Sequence, residues 1–299
     1  MADATRATGT VLDRIVAHRR RRLLEDRRAT PEETLAEHQA SLPGAPLDFR
    51  QRLLEGRAVS PAGAKLQLIA EVKRASPSHG VFDAELDAAA QARNYADAGA
   101  TAVSVLTEPD HFHGDIGDLR AARCAFDDDA DRPALLRKDF VFDRYQVLEA
   151  RAHGADALLL IVMMLTEPAL AELVTDAREQ GIEPLIEVHD EAELEVALRA
   201  GARVIGVNNR DLRSFEEDLG ATERLAPLAP PGTVLVAESG IRTAADARRM
   251  AAAGAHAVLV GEALVRSGVD GAAGGIRAKA LELMLAEGGD RDARDVTKL

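Results

Sequence analysis

One short phrase recurs through this chain and constrains it more than any other feature. Ala-Gly-Ala stands at 98–100, 200–202 and 253–255, and His-Gly-Ala at 153–155. Each closes an amphipathic segment, and each is followed at once by an apolar run. Glycine at such a point supplies the left-handed turn that stops a helix. The run after it reads as a strand buried on both faces. From Ala64 onward the chain repeats this unit. Strands are predicted at Leu66–Val72, Ala102–Leu106, Ala134–Arg137, Ala157–Ile161, Pro184–Val188, Val204–Val207, Val234–Ala237 and Ala257–Val260. The helices between them are predicted at Ala84–Ala98, Ile116–Ala125, Arg144–His153, Glu167–Gln180, Glu191–Ala200, Phe215–Leu225 and Ala244–Ala253. This rhythm implies an α/β fold, a closed (β/α)8 TIM barrel with an N-terminal helical extension. An open doubly wound sheet fits less well, because no Gly-x-Gly-x-x-Gly follows the first strand. Tryptophan is absent and aromatics are only 3% of the chain, so the core must be built from Ala, Val, Leu and Ile, as a parallel sheet prefers.

The expected domains are an N-terminal helical extension over residues 1–62, the barrel over 63–286 and a polar, mobile tail over 287–299. Residues 1–9 read as disordered, and a helix is predicted from Thr10 to Arg28. Its run Arg19-Arg-Arg-Arg22 reads as a solvated face. A second helix is expected to begin at Thr30, with Thr30 as N-cap and Pro31 as its first residue. A short segment, Asp48 to Leu54, follows. Glu262–Ser267 reads as a short extra helix and Gly271–Ala286 as the closing one. The net charge of −13 argues against nucleic acid and against anionic membranes. No apolar run reaches the roughly 18 residues of a spanning helix, and no secretion signal is visible. The single cysteine, Cys124, permits no internal disulfide. The expected location is the cytoplasm. The oligomeric state is left open, and a monomer is compatible.

In barrels of this kind, active sites form at the C-terminal ends of the strands. Alternation along each strand aims Glu71 and Lys73 inward from the first, Lys138 from the third, Glu187 from the fifth and Asn208 and Arg210 from the sixth. The seventh gives Glu238 and then Ser239-Gly240, and the eighth gives Gly261. The second and fourth strands end in apolar or neutral residues. Such a rim could be a self-satisfied ring of ion pairs. Gly240 and Gly261, however, precede helices, where backbone N–H groups and the helix dipole hold anions. Loops seven and eight with a short extra helix are the usual phosphate site of barrels. The reading is a site for a small phosphorylated molecule. His111-x-His113 lacks a third ligand at diagnostic spacing, so no metal is expected. Glu238-Ser239-Gly240 is not a nucleophile elbow, since Ala237 stands where glycine is required.

The phrases that carry these residues are IAEVKRASPSHG (69–80), SVLTEPDHFHG (104–114), LLRKDF (135–140), EARAHGADALLLIV (149–162), IEVHDEAEL (186–194), GVNNRDL (206–212) and VAESGI (236–241). Together they resemble the indole-3-glycerol phosphate synthase family of tryptophan biosynthesis, from about Val11 to the closing helix. The resemblance implies the substrate 1-(2-carboxyphenylamino)-1-deoxy-D-ribulose 5-phosphate and a reaction of ring closure, decarboxylation and dehydration. It implies Lys138 as general acid of ring closure. Lys73 would bind the carboxylate and donate a proton in dehydration, and Glu187 would be the acid–base carboxylate. Glu71 and Asn208 would orient the lysines and the sugar hydroxyls. Glu238 would contact substrate, Ser239 would bind an oxygen, and Arg210 would lie on the anthranilate side. Phe112 and Phe140 would form the aromatic wall, with Ser76, Gly240 and Gly261 around the phosphate. It implies no cofactor and no metal, since the iminium formed on ring closure drives loss of carbon dioxide. Two departures stand out. Glu262 replaces a small hydroxyl residue beside the phosphate and is expected to turn its side chain away. Phe126–Pro133 is a longer acidic loop than usual. Two other readings stay open: another phosphate-sugar barrel such as phosphoribosylanthranilate isomerase, whose cysteine–aspartate pair is missing here, and a non-catalytic phosphate binder, which could dispense with Lys138 and Glu187.

Overall fold

Eight parallel strands close on themselves in a computed structural model that describes residues 4–58, 60–61, 63–77, 80–127, 129–269 and 273–285. They are β1 (Gln67–Val72), β2 (Ala102–Leu106), β3 (Ala134–Lys138), β4 (Ala157–Ile161), β5 (Glu183–Val188), β6 (Val204–Asn208), β7 (Val234–Glu238) and β8 (Ala257–Val260). Each pairs with its successor, and β8 pairs with β1 through Gln67↔Ala257 to Ala70↔Val260. Nearly every strand residue is buried, which is why the strands read as continuous apolar runs rather than alternating ones. The predicted strands hold to within a residue or so at either end.

Three helices precede the barrel: α1 (Val11–Ala29), α2 (Glu32–Ala40) and α3 (Phe49–Glu55). The others alternate with the strands: α4 (Ala88–Asp97), α5 (Ile116–Cys124), α6 (Arg144–Ala152), α7 (Glu167–Glu179), α8 (Glu191–Arg199), α9 (Gly220–Leu225), α10 (Ala244–Ala253), α11 (Glu262–Val269) and α12 (Ala273–Leu283). The recurrent glycines behave as expected. Gly99, Gly154, Gly201 and Gly254 have φ of +94°, +93°, +83° and +98°, where a side chain would be strained.

Several expectations need correction. The second helix does not start on a Thr30 cap. The Thr30 N–H donates to Asp26 O, closing the last turn of α1, and its carbonyl accepts from the Tyr145 hydroxyl at 2.7 Å, so Pro31 becomes the cap residue. The fourth helix starts at Ala88 rather than Ala84, because the Asp87 carboxylate accepts from the N–H groups of Ala89 and Ala90 and fixes the start there. The ninth starts at Gly220 rather than Phe215. The segment before it folds back on β6, with Phe215 N donating to Asp211 O and Asp211 N to Glu216 O. Phe215 itself takes a left-handed φ of +61°. The loop after β1 forms a small hairpin, Ala75↔Val81 and Ser76↔Gly80; Ser78 and His79 lie outside the described residues. So do Gly271, Ala272, Ala286, the whole 287–299 tail and residues 1–3. Residues 4–9, expected to be disordered, are ordered instead: Thr5 bridges Leu165, and the Arg6 N–H donates to Met164 O at 3.0 Å.

The Arg19–Arg22 run is not a solvated face throughout. Arg19 is buried and grips Asp139 twice, Nε to Oδ1 at 3.1 Å and Nη2 to Oδ2 at 3.2 Å. Asp139 also receives the Arg137 guanidinium at 3.0 Å and the Thr107 hydroxyl at 2.9 Å. Helix α1 is therefore locked to the strand end that carries Lys138. Arg22 pairs with Asp110 at 2.8 Å. The acidic loop also ties down the extension: Asp131 accepts from Arg52 at 3.1 Å and from the Ala58 N–H at 3.0 Å.

Candidate active site

Alternate residues of a strand share a face, and the register brings those faces to one end of the barrel. Glu187 lies beside Ile161 and Gly206, Asn208 beside Glu238, and Lys138 beside Leu106. Every residue expected in the site borders one cleft: Glu71, Lys73, Ser76, Phe112, Lys138, Phe140, Glu187, Asn208, Arg210, Glu238, Ser239, Gly240, Gly261 and Glu262. Leu106 and Ile161, the apolar ends of β2 and β4, complete the floor, and Val11, Leu12 and Ile15 of α1 reach in from the extension.

Two ion pairs anchor the floor. Lys138 Nζ stands 2.6 Å from Glu238 Oε2 and 3.9 Å from Glu187 Oε2. Lys73 Nζ stands 2.6 Å from Glu71 Oε1. Asn208 Nδ2 donates to Glu187 Oε1 at 3.1 Å. Burial alone would discharge Lys138, but the charges of Glu238, Glu187 and Glu71 outweigh it and hold its pKa above the usual lysine range. Burial also disfavours the Glu71 carboxylate, yet Lys73 and Lys138 hold its pKa below the ordinary value. Glu238 goes the other way. Burial and the nearby Glu187 charge outweigh Lys138, so its proton affinity is raised. The two partners of the Lys138–Glu238 pair thus pull in opposite senses. The physical cause is a surplus: three buried carboxylates face two ammonium groups, and one must bear the excess. Glu238 bears it, with Oε1 buried and without a hydrogen-bond partner among the described residues. This is no balanced ring of ion pairs.

Two glycines make the carboxylates fit. A Cβ on Gly206 would lie 2.1 Å from Glu238 Oε1, and one on Gly261 2.4 Å from Glu71 Oε1. The rim turn after β7 is strained. Ser239 takes φ +64° and Gly240 φ +74°, held by Asn209 Nδ2 donating to Ser239 O at 3.2 Å. Such strain at a cleft is a mark of function.

The anion cradle differs in part from expectation. The first turn of α10 is engaged elsewhere: Thr243 and Asp246 cap each other, and the Ala244 N–H goes to Glu282 at 2.9 Å. Helix α11, behind Gly261, does start at the cleft, with Glu262 and Ala263 lining it. Glu262 does turn to its own helix, accepting from Arg266 Nε at 2.9 Å. Arg210 borders the cleft, but its guanidinium meets Glu217 Oε1 at 2.5 Å, and Arg242 meets Glu217 Oε2 at 2.5 Å. Phe112 and Phe140 both border the cleft, with ring centroids 6.1 Å apart. His111 stacks on His18, with centroids 5.1 Å apart. The sequence reading missed Glu217, Arg242 and the α1 side chains. For α1 the signal was present, since Leu12, Ile15 and Leu23 share a stripe with Arg19.

A closed (β/α)8 barrel whose ammonium groups and carboxylates converge on one cleft at the C-terminal ends of the strands has the build of a barrel enzyme. Comparison with known proteins sharpens this. The family model for indole-3-glycerol phosphate synthase matches residues 12–273. The indole-3-glycerol phosphate synthase of Dehalococcoides mccartyi strain CBDB1 is 46% identical over 257 residues, covering 86% of this chain and 95% of that protein. That of Carboxydothermus hydrogenoformans is 43% identical over 279 residues, covering 92% and 99%. Among solved structures, a mandelate oxidase mutant shares the fold, with a TM-score of 0.56 at 17% identity over 86% of each chain. The chain belongs to the indole-3-glycerol phosphate synthase family. Its activity is the family's, a carboxy-lyase step of tryptophan biosynthesis that yields indole-3-glycerol phosphate. Among the described residues no helix is long and apolar enough to cross a membrane.

Proposed function

We propose that Lys138, Lys73 and Glu187 divide the proton transfers of this reaction. In ring closure the aromatic carbon that bears the carboxylate attacks the ketone carbon, and Lys138 delivers a proton to the ketone oxygen. An alkoxide is a far stronger base than an amine, so a lysine held above its ordinary pKa still gives up its proton as the bond forms. The carbon–carboxylate bond then breaks, and its electrons neutralise the iminium. In dehydration Lys73 protonates the departing hydroxyl while Glu187 takes a proton from the neighbouring methylene. Two protons are consumed and one is released, which matches the net uptake of one in losing carbon dioxide from a carboxylate. Glu71 holds Lys73, and Asn208 holds Glu187. Glu238 holds Lys138 and accepts from a substrate hydroxyl, Phe112 and Phe140 face the anthranilate ring, and Arg210 lies at its edge. Ser76, Ser239, Gly240 and the α11 N-terminus behind Gly261 take the phosphate, with Glu262 turned aside.

The observation that carries this reading is the position of Lys138, within 4 Å of two carboxylates on the floor of the cleft. The same reading makes 1–62 a cover over the barrel of 63–286, supported by the α1 side chains in the cleft wall, and takes the cytoplasm as the protein's location. The test is direct: purified protein without added metal converts the carboxyphenylamino-deoxyribulose phosphate to a fluorescent indole, and Glu187→Gln lowers turnover by roughly 10²–10⁴-fold. Wild-type turnover in that variant removes Glu187 from the mechanism.

A further inference from the structure

His189 is the residue after β5, and no part of the reaction assigned above uses it. Its side chain is only 8% exposed and lies between two carboxylates. Nδ1 lies 2.9 Å from Glu193 Oε2, and that same oxygen accepts from the His189 backbone N–H at 2.9 Å. Glu193 is itself fixed in the first turn of α8, where its N–H donates to the capping Asp190 at 2.9 Å. An oxygen already accepting one N–H faces Nδ1 as an acceptor, so the network assigns the neutral ring its hydrogen on Nδ1. Nε2 is then bare. It points at Glu187 Oε1 from 3.4 Å and has no hydrogen-bond partner among the described residues. Two lone pairs facing each other in a buried site are unfavourable unless a proton comes between them.

We propose that His189, clamped by Glu193, is a positioning residue that stores the proton Glu187 removes from substrate. The proposal rests on the reading of Glu187 as the base of dehydration. In the transfer the carboxyl O–H bond of Glu187 breaks and an Nε2–H bond forms. The imidazolium is stabilised on one side by Glu193 and on the other by the restored Glu187 carboxylate. The proton later returns through Glu187 to Lys138, 3.9 Å away, recharging the acid of ring closure. No solvent access to the floor of the cleft is needed for that exchange. The carboxylates that bear on the ring are Glu193 from α8, Glu187 from its own strand and Glu238 from β7. Burial works against the imidazolium, and these three outweigh it, so the ring titrates above its ordinary value.

The test is the pH profile of kcat with the full-length protein. The ring can accept a proton only when it enters the cycle neutral. Wild-type kcat therefore falls as pH drops through the raised imidazole pKa. In His189→Asn the plateau drops by on the order of tenfold, a fraction of what general base catalysis supplies, and the acidic limb vanishes. Glu193→Gln keeps an oxygen for Nδ1 but removes the charge, so the limb moves to lower pH. KM is unchanged in both, since neither residue borders the cleft. A limb that stays at the wild-type position in both variants overturns the proposal and assigns the titration to Glu238 instead. Glu187→Gln distinguishes the two levels. If it is inactive while both limbs stay in place, only the role of His189 falls. If it keeps wild-type turnover, the base assignment falls as well.

Discussion

Gly206→Ala tests whether the floor of the cleft is as tightly set as the geometry states. Gly206 lies in β6 with an ordinary strand conformation, so alanine costs the backbone nothing and removes the freedom glycine has in the unfolded chain. Its one obstacle is Glu238. The new methyl would lie 2.1 Å from Oε1, 3.2 Å from Cδ and 3.4 Å from Leu185 Cδ1. Ordinary contact needs more than an ångström of retreat, and the carboxylate must pivot. Its other oxygen, 2.6 Å from Lys138, moves with it. A charge-assisted hydrogen bond of this kind is worth about 1.5–3 kcal/mol. If that energy is used to place Lys138 against the ketone oxygen, its loss lowers kcat by roughly 10–100-fold. Overpacking should cost about 1–3 kcal/mol of stability besides. Steady-state kinetics followed by indole fluorescence, with urea unfolding alongside, separates the two. A variant that keeps kcat within about twofold of wild type would show that Glu238 does not hold the acid, and the reasoning from packing to catalysis would fail.

Three further outcomes follow from the same geometry. Gly261→Ala displaces Glu71 and, through it, Lys73, because the methyl would lie 2.4 Å from Glu71 Oε1 and 3.1 Å from Lys73 Nζ; turnover should fall, and wild-type turnover would contradict the packing argument. Arg19→Met frees α1 from Asp139, which keeps Arg137, and should cost about 1–3 kcal/mol in urea unfolding; an unchanged midpoint would mean that the buried pair contributes nothing. Asp139 titrates below its ordinary value of 3.8, since the charges of Arg19 and Arg137 outweigh burial. Its contribution to stability is therefore complete above that value and lost as pH falls below it. Asp139→Asn should flatten the acid limb of a stability–pH curve, and an identical limb in both proteins would refute this.

The barrel was legible because its rules are local. A glycine stop, a cap and an apolar run can each be recognised within a few residues, and eight repetitions leave little choice of fold. The inward carboxylates and lysines were legible for the same reason, since strand alternation decides which way Glu71, Lys138 and Glu187 point. What stayed hidden depends on partners distant in sequence. Nothing near Arg19 announces Asp139, and nothing near Gly206 says that Glu238 will need its space. The start of α9 was misplaced because Phe215 belongs to a turn fixed by Asp211, and short hydrogen-bonded turns override helical patterning. The capture of the Ala244 N–H by Glu282 of α12 was equally hidden, because that contact exists only once the closing helix docks.

Whether Lys138 supplies the proton of ring closure is decided by a single variant. Lys138→Ala is compared with wild type for single-turnover conversion of the carboxyphenylamino-deoxyribulose phosphate and, separately, for equilibrium binding of the product. With Lys138 as the acid, conversion falls by at least about 10²-fold while binding of the product persists. Conversion at the wild-type rate would contradict it, whatever happened to binding.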